Sequence, residues 1–116
     1  MSDAILVELR KTGGIMGADQ TLLVRSDGSG FAIGFNSPRR DFTLSESQLE
    51  EFRTSVASVD IGAVNPTTGD VRDGFHHGVR IDGRSATVTT GDSDVPDEFM
   101  DLVRALDELL RANGGL

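Results

Sequence analysis

Two histidines, a scatter of aspartates and one glycine-rich turn are the residues of this sequence that could do chemistry. His76 and His77 are adjacent, and neighbours on a strand project to opposite faces, so the pair cannot chelate one ion. The chain has no other histidine and no His-Glu-x-x-His motif, which leaves a zinc-hydrolase site without ligands. The best argument for an enzyme would be a cleft joining His77 to a nearby carboxylate, which the sequence alone does not show. There is no cysteine, which removes disulfides, thiolate nucleophiles and cysteine-bound metals together. No serine sits in a Gly-x-Ser-x-Gly elbow. Asp92-Ser93-Asp94-Val95-Pro96-Asp97 and Asp70-Val71-Arg72-Asp73-Gly74 gather oxygen ligands in short runs. A calcium loop needs more ligands than the first run offers and a glycine at its sharp turn. The first run reads as acids ahead of a helix and the second as an exposed loop. Gly13-Gly14-Ile15-Met16-Gly17 lacks the Lys-Ser/Thr of a phosphate loop and opens no parallel β-α unit. Its unusual content is Ile15 and Met16, two apolar side chains between glycines on a connection. They either fold back onto the body of the domain or form an apolar tip that enters a partner's cleft. No catalytic residue, metal or cofactor is expected.

The elements that must carry these residues are legible from periodicity. Residues 4–11 alternate, with Ile5, Val7 and Leu9 on one face and Leu6, Glu8 and Arg10 on the other, as in a half-buried strand. Residues 20–26 and 31–36 read as two more strands around the turn Asp27-Gly28-Ser29-Gly30, and a four-residue loop there pairs Val24 with Ile33 and Leu22 with Phe35. Asn36-Ser37-Pro38-Arg39-Arg40 is a break, and Phe42-Thr43-Leu44 leads into a helix. Ser45 is its N-cap, Gln48 completes a capping box, and Leu44 and Leu49 hold the staple positions. Leu49, Phe52, Val56 and Val59 follow at helical spacing, ending near Asp60. After a polar loop over residues 65–74, residues 75–90 form a hairpin about Asp82-Gly83. It places Phe75, His77, Val79, Ile81, Ala86 and Val88 on one face and His76, Arg80, Ser85, Thr87 and Thr89 on the other. The final helix has Ser93 or Asp94 as its cap and Pro96 in its first turn, with Phe99, Leu102, Val103, Leu106, Leu109 and Leu110 as its apolar stripe. Asn113-Gly114 stops it. The order β-β-β-α-β-β-α predicts an α+β domain, a mostly antiparallel sheet of about five strands with both helices on one face.

Composition bounds the rest. The 116 residues make one domain, 1–116. Eleven basic against 19 acidic residues leave a net charge of -8, which disfavours nucleic acid as a partner. The acids are spread over both helices and several loops, unlike those of a nucleic-acid mimic. The longest apolar run, Ala4-Ile5-Leu6-Val7, is too short for a membrane span. No signal sequence is seen at the N-terminus, so a cytoplasmic location is expected. A monomer is the expected state, although a free sheet edge offers a route to pairing.

The sequence resembles the emfourin family, small bacterial protein inhibitors of thermolysin-like metallopeptidases. Ile5-Leu6-Val7-Glu8-Leu9-Arg10-Lys11-Thr12-Gly13-Gly14-Ile15-Met16-Gly17 is similar to the family's opening strand and Gly-Gly turn. Residues 44–59 fall where the family has its first helix. Arg72-Asp73-Gly74-Phe75 through Val88, then Pro96 and the last helix, resemble its closing hairpin and helix. The similarity runs in order over most of the chain. It departs at Ile15 and Met16, where the family often has an aromatic or small residue, and near His77, where it often has an aromatic. The resemblance implies a non-enzymatic inhibitor whose partner is a metallopeptidase, with Gly13, Gly14, Ile15, Met16 and Gly17 as the contact loop. The other reading of the same features is a non-catalytic interaction module or a subunit of a larger complex.

Overall fold

The computed structural model describes residues 4–13, 18–34, 38–60, 75–81, 83–89 and 96–114. Six strands, β1 (Ile5–Gly13), β2 (Ala18–Arg25), β3 (Ser29–Ile33), β4 (Arg40–Thr43), β5 (Phe75–Ile81) and β6 (Arg84–Thr89), form one sheet. Helix α1 (Glu46–Ser58) follows β4 and helix α2 (Asp97–Ala112) follows β6. The sheet order is β4-β3-β2-β1-β5-β6, and all its pairings are antiparallel. Strand β1 is therefore central, and β4 and β5, the strands before and after α1, lie on opposite sides of it. No helix among the described residues is long and apolar enough to cross a membrane.

The α+β architecture follows from the alternation. One sheet face presents Val7, Leu9, Leu22, Val24, Ala32, Val79, Ala86 and Val88, all buried. Against it α2 lays Phe99, Leu102, Val103, Leu106 and Leu110, also buried. Helix α1 covers the same side with partly buried Leu49, Phe52 and Val56. The expected cap of α1 is present in full: Gln48 N–H donates to Ser45 Oγ (3.2 Å) and Ser45 N–H to Gln48 Oε1 (3.0 Å).

The second hairpin has the expected register, with Ile81 opposite Arg84, Val79 opposite Ala86 and His77 opposite Val88. The first hairpin does not. Val24 pairs with Gly30 and Leu22 with Ala32, while Ile33 lies opposite Thr21. The connection is three residues, Ser26-Asp27-Gly28, rather than four. Gly28 adopts φ 92°, the left-handed geometry that closes a three-residue hairpin loop. Asp27 Oδ1 fixes the turn by accepting from Ser29 N–H (2.9 Å) and Ser29 Oγ (2.6 Å). Ile33 is in consequence 40% exposed on the outer face. Phe35 lies outside the described residues.

Three further expectations are revised. Arg40–Thr43 is a strand that closes the β3 edge, where a lead-in to α1 was expected. The register of β1 against β2 shifts between Ile5 and Val7, which turns Ile5 outward to 53% exposure. Helix α2 begins at Asp97 with Pro96 as its N-cap and no side-chain capping bond, so Pro96 precedes the first turn. Ser93 and Asp94 are outside the described residues.

The two sheet edges differ. Strand β4 has four residues, is preceded by Pro38, and carries an Arg39–Asp41 ion pair (3.0 Å). Strand β6 has six residues and no proline, and Arg84 at its turn end is its one charge. The outer face of the sheet has no covering layer among the described residues. Phe31 is shielded there by guanidinium groups, with Arg39 4.2 Å and Arg25 5.8 Å from the ring centre.

Candidate functional site

The site is built at the end of the central strand. Hydrogen-bonded pairing of β1 continues to its last residue, which lies opposite Ala18 on one side and Phe75 on the other. That residue, Gly13, takes φ 106°, a conformation that disfavours a side chain. Both ends of the 14–17 connection are thereby fixed by paired backbone. Gly14, Ile15, Met16 and Gly17 themselves lie outside the described residues, as do residues 70–74 and 92–95 of the two aspartate runs. Asp97 occupies the exposed first turn of α2.

Beside this strand end the inner face changes from apolar to polar. Gln20, Lys11, His77 and Val88 make one row across β2, β1, β5 and β6. Gln20 is fully buried, Lys11 is 4% exposed and His77 is 8% exposed. Asp107 reaches down from α2, where it sits one turn after Val103 and one turn before Arg111. Lys11 Nζ donates to Asp107 Oδ1 at 2.7 Å, and Arg111 Nε lies 3.2 Å from Asp107 Oδ2. His77 Nε2 is 3.8 Å from Asp107 Oδ1, beyond hydrogen-bond range. Burial pushes the His77 imidazole below its ordinary range; Asp107 opposes this shift, while Lys11 and His76 add to it. The neutral ring therefore sits beside a lysine that already holds the nearest carboxylate oxygen.

His76 stands on the opposite face of β5, across from Thr12 and Thr89, so the two histidines diverge. Among the described residues no three His, Cys, Asp or Glu side chains come together as a metal site. Shallow hollows open on the outer face of the sheet, around Glu8, Arg10, Gly78, Arg80 and Ser85, away from His77 and Asp107. The arrangement of Lys11, His77, Asp107 and Arg111 joins helix to sheet by charge.

Sequence reasoning did not single out Lys11 and Asp107. The signal was present for Lys11: extending the alternation Val7, Leu9 by one step puts this residue, the chain's one lysine, on the inner face. No corresponding signal marks Asp107, because a carboxylate at the border of an apolar helical stripe is common. No protein-family model matches the chain, and no curated protein matches it.

Proposed function

We propose that this protein inhibits a thermolysin-like metallopeptidase by placing its 13–17 loop in the substrate cleft. The observation that carries the reading is the double pairing of Gly13, against Ala18 and Phe75, at the tip of the central strand. The anchor at Gly13 is held in place before binding, which lowers the conformational freedom lost at that point. Glycines on either side allow close backbone approach, and Ile15 or Met16 supplies the apolar side chain for a specificity pocket. The mechanism is occupation of the cleft, with no reaction by the inhibitor. This reading takes the protein as a cytoplasmic monomer that needs no cofactor.

The test is cleavage of a casein-type substrate by thermolysin with and without the protein. Inhibition is expected, and Ile15→Ala or Met16→Ala should weaken it by about 1–3 kcal/mol. Unchanged inhibition in both variants would remove the loop from the mechanism.

A second reading, a non-catalytic interaction module, is favoured by the uncovered outer sheet face with Ile33 40% exposed. The substitution Ile33→Arg separates the two. It should leave peptidase inhibition intact if the loop acts, and abolish partner capture if the sheet face does.

A further inference from the structure

We propose that acid loosens the root of the inhibitory loop through His77, so that a peptidase held at neutral pH is released in mildly acidic conditions. This rests on the inhibitory reading above and adds its regulation.

The geometry converges on one carboxylate. Lys11 from β1 and Arg111 from α2 each take one oxygen of Asp107, at 2.7 and 3.2 Å, and His77 from β5 stands 3.8 Å from the oxygen that Lys11 holds. Among the described residues, with the imidazole neutral, this group carries two cations and one anion. A proton on His77 adds a third cation to a place where Lys11 and His77 are almost sealed from water. Among the described residues, the other strands of this row bring no further carboxylate. In the same row β2 contributes Gln20 and β6 contributes Val88, while the neighbouring His76 points to the other face.

The direction of the effect follows from linkage. The imidazole resists protonation while the α2 end is seated, because burial lowers its pKa, whereas an exposed imidazole takes a proton near pH 6.5. The seated arrangement is therefore fully favoured above that pH. It loses ground progressively as the pH falls from there toward the lower value of the seated ring. The part that opens is the C-terminal half of α2 over the ends of β1 and β5. Those ends are Gly13 and Phe75, and Lys11 is two residues from Gly13. Opening there frees the paired backbone at Gly13 and Phe75, the anchor of the proposed contact loop, and that anchor must form again on binding.

The experiment measures inhibition of thermolysin by the full chain from about pH 8 to about pH 5.5, beside His77→Gln, which cannot titrate. Taking the ratio of the two proteins at each pH cancels the enzyme's own pH dependence. The wild type should weaken about five-fold or more relative to the variant across this interval. Parallel profiles would overturn the proposal. A second arm needs no substitution: amide hydrogen exchange of the free wild-type protein, corrected for the intrinsic effect of pH. Protection of residues 8–13 and 105–112 should fall ahead of residues 20–24 as acid is added, and a uniform loss would also overturn the proposal. If thermolysin is unaffected at every pH, the inhibitory reading fails and the release with it. The exchange arm still reports separately whether acid loosens the α2 end.

Discussion

Helices α1 and α2 cover the same sheet face by opposite means. Helix α1 has a complete reciprocal cap at Ser45 and Gln48, yet none of its residues is fully buried. Helix α2 starts at Pro96 without a side-chain capping bond, yet buries Phe99, Leu102, Val103, Leu106 and Leu110. Charges also suit α2, with Asp97 and Glu98 in the first turn and Arg111 in the last, each complementing the helix dipole. A cap satisfies two backbone donors and contributes about 1 kcal/mol, whereas one buried leucine contributes several times that. Helix α1 is thus specified locally and α2 by tertiary packing.

Substitutions can break this contrast or sharpen it. The largest effect is expected in the α2 stripe, where Leu106→Ala should destabilise by about 4 kcal/mol in denaturant unfolding. Phe52→Ala in the half-buried α1 stripe should cost no more than about 2 kcal/mol, and equal losses would erase the distinction. Next is Asp107→Ala, which takes away the carboxylate shared by buried Lys11 and by Arg111 and should cost about 3 kcal/mol. The variant Lys11→Met fills the same space without a charge and should stay within about 1 kcal/mol of wild type by the same measurement. A large loss in Lys11→Met would mean that the ion pair itself stabilises the fold. Smallest is Ser45→Ala, at about 1 kcal/mol, seen as a lowered Tm and as faster amide exchange in the first turn of α1.

Much of the fold was legible in the sequence because its signals are local and redundant. The second hairpin came out in register since Asp82-Gly83 leaves room for one loop length and both faces alternate cleanly around it. The first hairpin failed because Asp27-Gly28-Ser29-Gly30 contains two glycines, and the choice of which one closes the turn moves the partner strand. Matching apolar pairs favoured Ile33 and Phe35 as the inward residues. The folded chain places Gly30 and Ala32 there, because the Phe42 ring of β4 fills that side. A Cβ on Gly30 would stand 2.7 Å from Phe42 Cζ and would collide with the Leu23 carbonyl oxygen. That is a long-range fact which no window of sequence contains. The missed strand β4 is only four residues long and sits between proline and the helix cap. For the site, the motif-like Gly13–Gly17 turn was visible as an oddity of composition. Its charged footing was not visible, because Lys11 and Asp107 are 96 residues apart along the chain.

The unequal edges of the sheet bear on how copies of this chain would meet at high concentration. Proline, shortness and an ion pair make the β4 flank a poor place for another strand, whereas β6, the other edge strand among the described residues, is longer, lacks proline and carries one charge. Association by that route is one-sided. Two molecules joined flank to flank by a two-fold axis have used their hospitable sides and present only guarded ones, so growth stops at a pair and does not run on into a fibre.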